Sequence, residues 1–370
     1  MTIKLKDRVR TKVTTKGVKD PVWAGPCGAG RQGGITQSLL GRYLSDPERF
    51  RVKVIQGLKA VDKFSDSLEY GNMWHICEEA LGADEDWVKP LEQYTQELCR
   101  KYPMQQEVVS LWAEKCAAMF PRYVNYWAKH PDVKDRKPLF QEQVFDVEYK
   151  LPSGRTVRLR GKWDGGDVIG KARAAGVYLQ ENKSKSSIDA VKIGRSLIWD
   201  LQAMFYFVAL SVTEDNAVKA GWSGVPLRGI RYNVVKRPAH KSIESLTKKY
   251  DEDVKDNRVG EWFSRWNIDV STADVQRFRD EFLNPVLENL CDAYDWWVFI
   301  HRRFPKAMSV YDYEERQRVF QTHQQRHYRT PYHYDPLAEG GSGEVDSYLD
   351  TGSEAGLQRV LNLFPELQED

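Results

Sequence analysis

The chain has 370 residues, with 55 Lys+Arg against 53 Asp+Glu, 41% hydrophobic and 12% aromatic residues. This size and aromatic content exclude a disordered chain and suit one large or two ordinary folded domains. No apolar run reaches the roughly 18–20 residues that span a bilayer, Met1–Lys6 has no apolar signal core, and the five cysteines include no Cys-x-x-Cys pair, so a soluble cytoplasmic protein with reduced thiols is expected.

Residues 1–20 carry Lys4, Lys6, Arg8, Arg10, Lys12, Lys16 and Lys19 against Asp7 and Asp20. They form either a solvated terminus or an arm that reaches phosphates. Residues 21–34 are rich in Gly and Pro and predict a loop. Gly28–Gly33 spells GxGxxG, but Pro21–Pro26 before it is no buried strand, so a dinucleotide fold is set aside. Two short helices are expected over Ile35–Leu44 and Glu48–Lys59, parted at Asp46-Pro47. From Ser67 to about His130 the pattern is helical, with Tyr70, Met73, Trp74, Cys77 and Leu81 on one face.

The period then changes to two. Gln143–Tyr149 alternates, Pro152-Ser153-Gly154 turns, and Thr156–Arg160 alternates again, which predicts a hairpin whose second arm runs to Val168-Ile169. A turn over Gly170–Gly176 leads to a third strand, Val177–Gln180. A helix from Trp199 to about Val212 and a strand over Ile230–Val235, stopped by Pro238, follow. Ser242–Asp256 and Thr272–Arg302 predict helices, then come a Gly-rich stretch, Glu339–Gly343, and an amphipathic segment over Leu357–Leu363. The order implies an α+β fold with one mixed sheet.

The chemistry concentrates at Arg160-Gly161-Lys162-Trp163-Asp164-Gly165 and at Glu181-Asn182-Lys183. Asp164 ends one strand and the triplet ends the next. Period two puts Glu181 and Lys183 on one face, and antiparallel pairing brings Asp164 beside them. Two carboxylates, with a backbone carbonyl such as that of Asn182, make a hard oxygen site for Mg²⁺. Such a cation polarises a phosphodiester and acidifies a water, and Lys183 can orient that water or stabilise the developing charge. A surface salt bridge in a hairpin produces the same residues. Gln202 and Tyr206, four apart, share one face of the following helix and can line the site. His75 sits on a helix among apolar neighbours, as a core histidine does.

These blocks, in this order and rough spacing, resemble the PD-(D/E)XK nucleases of the RecB-like branch. Ser38-x-Leu40-x-x-Tyr43 with Pro47-x-Arg49-Phe50 is similar to that branch's N-terminal helical motif, and Glu142 matches its strand-one acid. The resemblance implies a restriction-endonuclease-like core, a mixed central sheet flanked by helices, over about residues 35–240. A helical layer over 35–130 belongs to it, a basic arm and loop (1–34) precede it, and a helical C-terminal extension (241–370) follows. It implies Asp164 and Glu181 as metal ligands, His75 as a further ligand, Lys183 serving the attacking water, and Gln202 and Tyr206 holding the DNA end or the sheet–helix geometry. It implies a Mg²⁺-dependent DNase, Mn²⁺ able to substitute, and most simply an exonuclease of phage-type recombination or repair with a recombination or single-strand-binding partner. A defence-type endonuclease and a non-catalytic DNA-binding protein are the alternatives. With only Cys291 following Tyr206, no iron–sulfur cluster is expected.

Lys185, Lys192 and Arg195 are the expected DNA-facing cations. His323, His327 and His333 lack the glutamate of a zinc-protease helix. Arg326 and Arg329, interleaved with Tyr328, Tyr332 and Tyr334, fit either nucleic-acid stacking or packing.

Overall fold

A computed structural model describes residues 21–60, 63–130, 134–197, 200–213, 222, 224–303, 344–345, 348 and 354–367. The basic arm, the Gly-rich stretch Glu339–Gly343 and the His/Arg/Tyr segment 323–334 lie outside them. Two compact units are built from these residues. One is drawn from the described residues of 21–33, 42–61 and 289–363, the other from those of 34–41, 62–288 and 364–367.

The larger unit is organised by a five-stranded sheet in the order β2-β3-β4-β5-β6. Its strands are β2 (Arg136–Lys150), β3 (Thr156–Ile169), β4 (Gly176–Lys185), β5 (Leu227–Lys236) and β6 (Phe263–Asp269). β4 and β5 run parallel and the other pairs are antiparallel. The parallel pair needs a crossover, supplied by α6 (Ala190–Leu197) and α7 (Leu201–Val212). The hairpin turn falls where Pro152-Ser153-Gly154 predicts it, with Gly154 at φ +89°, a region open to glycine. β2 begins well before the alternation at Gln143. Pro138 and the charged residues around it mask the period, and an edge strand tolerates that proline at a register shift.

Helices cover the sheet. α3 (Asp66–Gly82), α4 (Val88–Lys101), α5 (Gln106–Ala128) and α8 (Ile243–Lys255) pack with Val235, Trp262 and Phe263 into one core, in which Tyr70, Met73, Cys77, Val109, Cys116 and Phe120 are buried. α7 is apolar almost all round, with Ala203, Phe205, Val208 and Ala209 fully buried. The first seven residues of β4 are buried in succession. This is the signature of a strand covered on both faces, and it explains why Glu181-Asn182-Lys183 is extended although polar residues favour strands weakly.

The expected boundary at residue 240 separates β5 from β6, neighbours in one sheet. The region after 240 is therefore not a purely helical extension. β6 is short, lies between helices, and its alternation Phe263-Ser264-Arg265-Trp266 stands alone in a helical context.

In the smaller unit, α2 (Pro47–Phe50) starts on an Asp46 cap and passes into a π-helical turn, Arg51–Ile55. The helix expected to Lys59 stops there. Leu58–Ala60 forms β1, which pairs antiparallel with β7 (Leu357–Arg359). The last amphipathic segment accordingly holds a strand, whose partner lies some three hundred residues away. Trp23, Phe50 and Trp297 are fully buried, and Trp23 meets Phe50 edge-on at 5.2 Å between centroids.

Candidate active site

The site forms in the larger unit where β3 and β4 part. The ladder ends at Gly165↔Gln180, so Asp164 and Glu181 are the next opposed positions. The Asn182 N–H donates to Asp164 Oδ2 at 2.7 Å, which fixes that carboxylate against β4. Glu181 and Lys183 share a face, and Lys183 Nζ lies 2.5 Å from Glu181 Oε1. Lys183 Nζ also donates to Gln202 Oε1 on α7 at 2.8 Å. Asp200 caps α7 by accepting from the Ala203 N–H at 3.0 Å, which sets the helix start beside the strand end.

α3 supplies the other wall. His75 Nδ1 lies 3.6 Å from Glu142 Oε1 on β2, and His75, Glu142 and Asp164 bring one donor atom each within 4.8 Å of one another. Glu142 stands at φ +47°, an uncommon conformation for a glutamate. Its neighbours pair as Gln141↔Gly165 and Gln143↔Trp163, so Glu142 occupies the slot across from Asp164. Lys162, two residues before Asp164, reaches Glu142 Oε2 at 3.0 Å and Glu79 Oε1 at 3.2 Å.

The charges are mutually dependent. Burial opposes the imidazolium of His75, yet Asp164, Glu142 and Glu78 outweigh it and hold the group up at about 10. Burial raises Asp164, helped by Glu142 and opposed by His75. Burial also pushes Glu181 to about 8, with Lys183 opposing and Asp164 adding to the rise. Burial penalises the Lys183 ammonium, but Glu181 and Asp200 more than compensate and raise it. A crowd of buried carboxylates that favours added positive charge is a cation site in electrostatic terms.

Residues 35–294 match the PD-(D/E)XK nuclease superfamily. The chain belongs to that superfamily. No curated protein matches it. Asp164 and Glu181-x-Lys183, the residues expected to carry the signature, fall within the matched span, and Trp163 directly precedes Asp164. The Trp163 ring stacks on Phe145 at 4.3 Å and its Nε1 donates to the Tyr206 carbonyl at 3.1 Å, which ties β3 to α7.

Members of the PD-(D/E)XK superfamily typically use divalent metal ions, and the residues present fit one. The donors are two carboxylates, which suit Mg²⁺ or Mn²⁺, and one imidazole, which suits transition-metal ions. Neither oxygen of the fully buried Glu181 has a well-aligned hydrogen bond, its Lys183 contact being an ion pair. The expected ligand set was His75, Asp164, Glu181 and Asn182. The tight group is instead His75, Asp164 and Glu142, while Glu181 engages Lys183. The Asn182 side chain faces a buried network, where Oδ1 accepts from Gln180 Nε2 at 3.0 Å and from Asn233 Nδ2 at 3.1 Å.

That network was not foreseen from sequence. Glu78 Oε1 accepts from Tyr123 O–H at 2.6 Å and from Asn233 Nδ2 at 2.9 Å, and Arg265 Nε donates to Asn233 Oδ1 at 3.1 Å. Glu78 follows His75 by three residues, so helical spacing alone places both on one side. Burial raises Glu78 to about 7. Tyr206 packs edge-on against Phe145 at 5.4 Å, between helix and sheet. Lys185 is exposed at the end of β4, Lys192 is exposed on α6, and Arg195 lies on α6.

Proposed function

We propose that the chain is a divalent-metal-dependent deoxyribonuclease, an exonuclease that acts on double-stranded ends in phage-type recombination or repair. The observation that carries the nuclease reading is the meeting of His75, Glu142 and Asp164 within 4.8 Å beside the Glu181–Lys183 pair at 2.5 Å. His75, Glu142 and Asp164 would hold the cation, with Glu181 and the main-chain carbonyl of Asn182 as further donors. When bound, a divalent cation neutralises phosphate charge and acidifies a water for attack on phosphorus.

The chain's own groups do the rest. Lys183 is fixed from two sides, by Glu181 and by Gln202, so its ammonium is preorganised for charge that develops on a phosphate oxygen. Hydrolysis joins the water oxygen to phosphorus, breaks the bond to the 3′ oxygen, returns a proton to that oxygen and leaves a 5′-phosphate. Tyr206 keeps α7, and with it Gln202, in place against β3. Lys185, Lys192 and Arg195 lie on the β4–α6 side and serve the DNA backbone.

The experiment is a time course with end-labelled linear duplex, single strand and closed circular DNA in Mg²⁺ or Mn²⁺. Progressive shortening of linear duplex, none of the circle, and none with EDTA or with Asp164→Asn is expected. Cutting of the circle overturns the exonuclease assignment, and inertness towards every DNA overturns the deoxyribonuclease.

A further inference from the structure

The strands that carry the site end in a cluster of cations, of which only Lys185 has a part in the reading above. Lys185, two residues and about 7 Å beyond Lys183, is the register partner of Lys236 on the parallel strand β5. Like charges directly opposed on neighbouring strands destabilise a sheet. The chain continues from Lys236 into Arg237, Pro238, Ala239, His240 and Lys241. This loop is held firmly. The Arg237 N–H donates to the Lys185 carbonyl at 2.7 Å, the Lys236 N–H donates to the Trp262 carbonyl at 2.9 Å, and Pro238 is buried.

No described acid neutralises the cluster. Among the described residues, Lys185, Lys236, Arg237 and Lys241 form no ion pair. The buried carboxylate of Asp253, which acts on His240, is bound to Lys249 at 2.8 Å and to Arg258 at 2.7 Å. It also accepts from Trp262 Nε1 at 3.0 Å, which pins that ring. The pinned indole is the bed of the loop: Lys236 Nζ lies 4.7 Å from its centroid and His240 stacks on it at 6.1 Å. The lysines around the loop outnumber the acids that act on it. Burial lowers His240, and Lys236, Lys115 and Lys249 lower it further against Asp253.

We propose that Lys185 and the segment Lys236–Lys241 form a rigid track for the phosphate backbone of the DNA that enters the candidate active site. The assignment rests on the deoxyribonuclease reading and specifies where that substrate lies: along the carboxyl ends of β4 and β5. Binding there is to phosphates, so the track is indifferent to sequence and sensitive to salt.

The test is binding, measured apart from cleavage. A labelled short duplex is titrated in EDTA at several NaCl concentrations, with fluorescence anisotropy as the readout. Each phosphate that the protein no longer neutralises lowers the slope of log K against log salt by about 0.9. Lys185→Gln with Lys241→Gln, both exposed positions, should lower it by about 2, and adding Arg237→Gln by about 3. Lys89→Gln with Arg100→Gln on α4 removes the same charge elsewhere and should leave the slope unchanged. Circular dichroism confirms the fold of each variant. A wild-type slope and affinity in the double variant, or an equal drop in the α4 control, overturns the track, as does failure of the wild type to bind. Cleavage by the wild type with unaltered binding by the variants sinks the track alone. Slope changes without any cleavage by the wild type sink the nuclease reading alone.

Discussion

Lys162 Nζ lies 3.0 Å from Glu142 Oε2, so a lysine of β3 grips the carboxylate that faces Asp164 from β2. His75 stands 3.6 Å from the other oxygen of that carboxylate. Glu142 is thus clamped from both sides in a backbone conformation that glutamate seldom adopts, and strain kept at one residue is a mark of a functional position. Glu142→Gln keeps the shape and removes the charge. Its affinity for Mn²⁺, read by calorimetry, is expected to fall at least about tenfold, with cleavage falling by about a hundredfold or more. Wild-type Mn²⁺ affinity would remove Glu142 from the ligand set.

How much of this was readable beforehand depends on the range of the interaction. Asp164, Glu181 and Lys183 were legible because a hairpin and a period of two place them together by short-range rules. Gln202 was legible for a similar reason, since its spacing of four from Tyr206 puts both on one face of a helix. Glu142 was matched only through family resemblance, because the alternation begins after it and its left-handed backbone has no signal in a glutamate. Glu78, Tyr123 and Asn233 come from a helix, another helix and a strand, and no local pattern announces that three buried polar groups will satisfy one another. The β1–β7 pair and the strand β6 were missed on the same ground: their partners are distant and the strands short.

The buried network predicts a graded response at Glu78. Its Oε1 accepts from Tyr123 and Asn233. Glu78→Gln retains an acceptor oxygen there and should change thermal stability little. Glu78→Ala leaves two buried donors unmatched and opens a cavity, so a loss of about 2–4 kcal/mol is expected in urea denaturation. Equal losses in both variants would show that charge, not hydrogen-bond matching, is what Glu78 contributes.

Lys183 and Glu181 form a buried pair whose members depend on each other. Removing the ammonium alone, in Lys183→Met, leaves a carboxylate buried at 0% exposure without its counter-charge. Breaking such a pair costs about 3–5 kcal/mol. Because Glu181 can take up a proton instead, that cost should be larger at pH 9 than at pH 6. The double variant Glu181→Gln/Lys183→Met should recover stability while remaining inactive. Persistence of the full loss in the double variant would place the damage in packing rather than charge.

The same electrostatics set the direction of the pH response in EDTA. Glu181 at about 8 and Glu78 at about 7 are acids raised above their unfolded values, so the folded state binds more protons between about pH 4.5 and those values. His75 at about 10 is a base raised above 6.5, and its contribution is present below 6.5 and lost as pH climbs towards 10. All three therefore act in one sense: without metal, stability falls as pH rises from about 5 to 9. A divalent cation competes with these protons, so Mn²⁺ should add little at pH 5.5 and progressively more towards pH 8.5, flattening the slope. Thermal denaturation across that range, with EDTA and with Mn²⁺, measures both curves. An EDTA curve that rises with pH would mean that the carboxylates around His75 are not raised as a group. Parallel curves would place the cation away from His75, Glu142 and Asp164.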